Sequence, residues 1–257
     1  MKKYLKPATL PWFVLFTGGI GIALRYWLLT AGVDTKGLLK TGHPAIILLW
    51  VITAITAAVV IYGCLPLTEA NKYTFNFPSS LNGAIAEGIL ALGVLLACIF
   101  SLIGSADTLT VITAIAGFLC VPALLLCGFY RWKGVKPSFL LHGFICIFWT
   151  LRLVSMYRSW SPEPQLQQYI FALLSNIFMM LAFYQRTTFD ANIGKRRSHA
   201  IAHLAAVFFC CLSIVGSRDW YLYIACALWA TMDMCRMTPM PRRKNLQSKE
   251  DTNHDPA

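Results

Sequence analysis

Residues 81–104 read LNGAIAEGILALGVLLACIFSLIG, and this stretch decides the fold. As an α-helix it rises about 36 Å, enough to cross a hydrocarbon core about 30 Å thick, and Glu87 is its one charged residue. Comparable apolar runs recur along the chain. They give eight predicted spans: 8–31, 44–66, 81–104, 108–130, 137–160, 165–187, 198–216 and 219–238. The breaks carry ordinary stop signals, among them Gly32 to Gly42, Pro78, and the pair Pro162 and Pro164.

Composition agrees. The 257 residues are 57% hydrophobic and 13% charged, with a mean hydropathy of +0.60, where a soluble chain carries about 25% charged residues. The predicted class is an all-α, polytopic membrane bundle of about eight helices. Residues 1–241 are read as a single transmembrane domain and 242–257 as a disordered polar tail. The net charge of +11 is a matter of topology rather than of nucleic-acid binding. Eight spans put the N-terminus, every second loop and the C-terminus on one side, and that side collects sixteen of the 22 Lys and Arg residues against four on the other. The positive-inside rule makes it the cytoplasmic side. The first apolar run is too long for a signal-peptide core and lacks a small-residue cleavage site, so it is read as a span. Nine cysteines lie in or beside apolar stretches with no C-x-x-C pair, which is the pattern of small buried hydrophobes and not of a disulfide framework.

Charges within spans cost several kcal/mol on insertion and so mark candidate sites. Arg25 continues the stripe Val14, Gly18, Gly21, and Glu87 shares a face with Ala84, Gly88 and Ala91. Small residues accompany close helix packing, so both charges are expected to face the bundle interior. The first and fifth spans run outward, which places Arg25 and Arg152 in the outer half, near Tyr157, Arg158, Gln165, Gln168 and Tyr169. Guanidinium, amide and phenol groups around one partly desolvated cavity suit a small anion. The alternative is that the two arginines snorkel separately to the headgroups.

The inner half gathers Glu87, His142, Tyr184, His199, His203 and Asp233, a polar cluster suited to relaying protons. His199 and His203 stand four apart, which stacks both imidazoles on one helix face at the spacing of helical zinc ligands. With His142 as a third ligand, and Glu87 or Asp233 to polarise water, they would make a zinc site with an open position. The first reading, in a chain without cofactors, is of histidines that pack in the bundle or sit among headgroups beside Lys195, Arg196 and Arg197, with a proton relay next and zinc as a further alternative.

The segment His199-Ala200-Ile201-Ala202-His203 resembles the H-x-x-x-H of the seventh helix in the ceramidase and adiponectin-receptor superfamily of intramembrane zinc hydrolases. The resemblance covers five residues. The second span offers only His43, on the outer side, and the family's Ser and Asp motifs have no counterpart. Phe77-Pro78-Ser79-Ser80, Arg152-Leu153-Val154-Ser155 with Tyr157-Arg158, and Phe189-Asp190-Ala191 are similar to uncharacterised multi-span proteins of Gram-positive anaerobic bacteria. That likeness implies a bacterial cytoplasmic membrane and no activity.

The leading functional expectation is a transporter or binder of a small anionic molecule, with no catalytic residue assigned and no nucleic-acid partner. No Walker motif is present, so transport would draw on a gradient or a partner. The alternatives are a metal-dependent hydrolase within the membrane and a non-catalytic subunit of a membrane complex.

Overall fold

A computed structural model describes residues 9–34, 39–40, 42–67, 71–104, 107–160 and 169–237. Among them the chain forms nine helices: α1 (Leu10–Ala31), α2 (Pro44–Cys64), α3 (Tyr73–Asn76), α4 (Leu81–Gly104), α5 (Thr108–Lys133), α6 (Phe139–Trp160), α7 (Ile170–Asp190), α8 (Arg196–Ile214) and α9 (Trp220–Arg236). The described residues form no strand, only an isolated bridge between Val33 and Leu39 in the α1–α2 connection. Seven of the helices, α1, α2 and α4 to α8, are long and apolar enough to cross a membrane. The eighth expected span is the 17-residue α9, which rises about 25 Å and packs alongside α4 and α8. The chain is an all-α, multi-pass integral membrane protein.

Local sequence sets the helix ends. Pro11 and Pro44 sit in the first turns of α1 and α2, where a missing N–H costs nothing. The His43 ring caps α2 by accepting the Ala45 N–H at 3.3 Å. Gly134 closes α5 in the left-handed region, at φ +69, which a residue without Cβ adopts freely.

Helices α4 to α9 form a closed circuit in which each packs against the next and α9 returns to α4. Helices α1 and α2 lie outside it, against α8. Helix α8 is therefore central: 72% of its membrane-length window is buried, against 22% for α2. Its buried face is rich in Ala and Cys, including Ala200, Ala206, Cys210 and Cys211, and small side chains permit close approach where water is not driving association. Gly93 of α4 meets α9 at a similar spot, where an added Cβ would lie 2.8 Å from that of Ala225. The large exposed apolar residues, such as Ile47, Trp50 and Ile55 of α2 and Ile112, Leu119 and Trp132 of α5, face outward as a lipid-contacting surface needs.

The helix ends differ from the sequence reading in ways that bear on the site. Helix α5 runs to Lys133, α7 to Asp190, and α8 begins at Arg196. Arg131, Asp190 and Arg196, read from sequence as loop residues or left unassigned, are thus helical and buried. Burying Arg131, Arg186 and Arg196 takes three charges out of the sixteen expected on the cytoplasmic side, which leaves thirteen against four. The tail 242–257 lies outside the described residues.

Candidate functional site

The six-helix circuit carries polar chemistry at both ends, separated by an apolar middle that includes Leu90, Leu124, Ile145, Trp149 and Met179. At one end, all six helices contribute to a single buried network. Asp233 of α9 is its hub. Its Oδ1 accepts from Arg186 Nη1 of α7 at 3.0 Å and faces Arg131 Nη2 of α5 at 3.3 Å. Its Oδ2 lies 3.1 Å from His199 Nε2 and 3.2 Å from His203 Nε2, both of α8. Arg186 also reaches Glu87 of α4, Nη2 to Oε1 at 3.6 Å, and Glu87 receives the Trp229 indole N–H. His142 of α6 pairs with Asp190 of α7, Nδ1 to Oδ2 at 2.5 Å. Each of these charged or imidazole side chains is at most 5% exposed. Isolated charges in that setting would be prohibitively costly, and mutual pairing is what makes their burial tolerable.

Phe77, which follows the short helix α3, closes this end. Its ring lies 4.2 Å from the Arg186 guanidinium and 4.9 Å from that of Arg131, and it packs edge-on against His199 and Phe189. Cation–π attraction thus binds the 71–80 segment to the network. Backbone and side-chain bonds fix it further: Ser80 N–H donates to Arg131 O at 3.2 Å, and Arg196 Nε donates to Asn76 Oδ1.

At the opposite end the circuit encloses a cavity of about 410 Å³. Arg152, Ser155 and Trp160 of α6, Thr110 and Thr113 of α5, Ser101 of α4, Tyr169, and the α8–α9 turn with Arg218 and Asp219 line it. Arg152 donates to Asp219 and to the Tyr223 hydroxyl. Its Nε is buried without a hydrogen-bond partner. Ser159 and Arg218 are exposed, so the cavity reaches the surface.

The structure brings Glu87, His199, His203 and Asp233 into one network, with His142 and Asp190 at its edge. Tyr184 is turned outward and is 53% exposed. His142 stands outside the group formed by His199, His203 and Asp233, whose ligand atoms all lie within 4.8 Å of one another. At the other end Arg152 and Tyr169 line the cavity. Arg25 is buried beside the Phe171 ring, 5.1 Å from its centroid, and does not line the cavity. The expected sharing of one cavity by Arg25 and Arg152 is therefore replaced by an Arg152–Asp219 pair, because the α8–α9 turn carries an acid to that spot. Tyr157 and Arg158 are exposed on the outer side of α6, while Gln165 and Gln168 lie outside the described residues.

Sequence reasoning missed Arg131, Arg186 and Asp190 as network members and Asp219 as the partner of Arg152. Helix periodicity marks the first three. Arg131 continues the buried stripe Cys120, Leu124, Cys127 of α5, and Arg186 and Asp190 continue Met179, Ala182, Phe183 of α7.

Comparison with protein-family models, with curated proteins and with solved structures finds no match. Fold and geometry alone define the class: a polytopic helical membrane protein with an ion-paired closure at one end of its bundle and a polar cavity at the other.

Proposed function

We propose that this protein binds a small anionic molecule in the cavity beside Arg152 and serves its passage across the membrane. The observation that carries the reading is the charge balance of the cavity wall. Two guanidiniums, Arg152 and Arg218, face one carboxylate, Asp219, and the buried Arg152 Nε keeps a free donor. Guanidinium groups suit carboxylates and phosphates in particular. Thr113 and Ser159 donate to the Leu109 and Met156 carbonyls, while the Thr110–Ser155 pair keeps one hydroxyl free to donate, and Phe148 and Trp160 form an apolar wall, the mixture that orients a small ligand. The network beneath Phe77 closes the far end of the same circuit, so passage requires that closure to open.

The test uses purified protein in lipid nanodiscs and reads thermal unfolding against mono- and dicarboxylates, phosphate and sulfonates, with neutral amides of matching size as controls. A ligand at 100 times its Kd stabilises by about 2.7 kcal/mol. The reading expects a rise in Tm with at least one anion class, a smaller rise in Arg218→Gln, and none in Ser155→Trp, where the indole fills the cavity. Equal shifts from the neutral amides, or an undiminished anion effect in Ser155→Trp, would contradict it.

A further inference from the structure

We propose that His199 and His203 of α8, with Asp233 of α9, form a binding site for a divalent transition-metal ion of the zinc class. The site is independent of the anion cavity, which lies at the other end of the circuit.

His203 gives the first sign of it. Its Nδ1 lies 3.0 Å from the His199 carbonyl oxygen. A carbonyl only accepts, so this nitrogen carries the proton. In the neutral imidazole, Nε2 is then a lone pair. That lone pair is fully buried, makes no hydrogen bond, and stands 3.2 Å from a carboxylate oxygen, Asp233 Oδ2. Two acceptors held face to face need a positive charge between them. His199 Nε2 converges on the same oxygen at 3.1 Å, and all three atoms lie within 4.8 Å of one another.

The two distances to Asp233 Oδ2 admit a metal ion as well as a proton. Ligands about 2.0–2.1 Å from a tetrahedral zinc ion are about 3.3 Å apart, close to the two separations seen. A proton serves one donor–acceptor line at a time, whereas here two imidazoles address one oxygen and only His199 is aligned for a hydrogen bond.

The surroundings supply part of what metal ligands require. Ligating histidines usually donate their second N–H to a carbonyl or carboxylate, as His203 does to His199 O, whereas His199 Nδ1 is buried without such a partner. Both guanidiniums on Asp233 lie on the Oδ1 side, Arg186 as a hydrogen-bond donor at 3.0 Å and Arg131 as an ion-pair contact at 3.3 Å, which orients the carboxylate and leaves Oδ2 facing the imidazoles. Glu87 shares the charge of Arg186 with Asp233, which lightens the demand of the guanidiniums on the Asp233 carboxylate. Two imidazoles and a carboxylate are the donor set of a zinc-class ion, and three protein ligands leave a coordination position for water.

The experiment is metal analysis of the full chain, purified without chelators, equilibrated with Zn²⁺ and passed through a desalting column. About one zinc per chain is expected to remain. Replacing zinc with Co²⁺ should give the visible absorption of a four-coordinate site. His203→Gln should reduce retained zinc at least tenfold, while His43→Gln, at the N-cap of α2, should retain it in full. The Co²⁺ spectrum of wild type keeps the proposal falsifiable if His203→Gln fails to fold. Folded wild type that retains less than about a tenth of a zinc per chain and shows no Co²⁺ band would overturn the proposal in favour of a bridging proton. Equal zinc retention by folded His203→Gln would overturn it as well.

Discussion

Replacing Arg186 with methionine should unfold this protein at a markedly lower temperature, and the structure says by how much. Arg186 is 1% exposed, donates to Asp233 at 3.0 Å, faces Glu87 at 3.6 Å, and lies on the Phe77 ring at 4.2 Å. Methionine fills most of the aliphatic volume but removes the charge, leaving two buried carboxylates short of a partner. Breaking a buried ion pair from one side costs about 3–5 kcal/mol. For a chain of this size that corresponds to a fall in Tm of roughly 6–20 °C. Glu87→Gln should cost less, about 1–2 kcal/mol, because Arg186 keeps Asp233. The double variant Glu87→Gln/Arg186→Met should be less destabilised than the sum by about 1–3 kcal/mol, since a neutral amide in place of the Glu87 carboxylate no longer needs the guanidinium. The assay is thermal unfolding of each variant in nanodiscs, followed by intrinsic tryptophan fluorescence. Additive losses in the double variant, or a fall of less than about 2 °C in Arg186→Met, would refute the network as drawn.

Phe77→Ala should destabilise by about 3–5 kcal/mol through a packing defect, and Phe77→Leu by about 1–2 kcal/mol, because leucine restores bulk but not the cation–π contacts to Arg131 and Arg186. Thermal unfolding separates the two, and a leucine variant as stable as wild type would show that the ring acts by volume alone. Gly93→Ala should cost about 1–3 kcal/mol by forcing α4 away from α9, and adding Ala225→Gly should recover most of that loss. Absence of recovery in the pair would place the strain elsewhere.

The bundle was readable from sequence because a hydrocarbon solvent imposes one demand on the backbone, and apolar runs of about 20 residues answer it. The predicted span 81–104 coincides with α4, and 44–66 exceeds α2 by two residues. The inner polar cluster was legible for the same reason, since Glu87 and Asp233 interrupt apolar runs. The residues that escaped lie at the ends of helices. Arg131 and Arg186 sit where a loop charge is ordinary, and hydropathy cannot distinguish a solvated arginine from one folded under an aromatic cap. What buries them is Phe77 in the α2–α4 connection, a contact across more than fifty residues of chain. The partner of Arg152 escaped for a similar reason. Asp219 belongs to the turn before α9 and meets α6 only once the circuit closes. Spacing reveals which face a residue occupies, and closure of the circuit decides what that face meets.

The most direct test of the account places a cysteine at Ser155, on the cavity wall, and measures its modification by a membrane-impermeant maleimide in intact cells and in inside-out vesicles. Wild type serves as the baseline because Cys98 also lines the cavity and Cys235 is exposed. If, as proposed, both termini are cytoplasmic and the cavity at the outer end binds an anion, Ser155→Cys should label from outside the cell, and a saturating small anion should slow that labelling while a neutral amide of equal size does not. Labelling only from the cytoplasmic side, or labelling that no anion slows, would contradict the account.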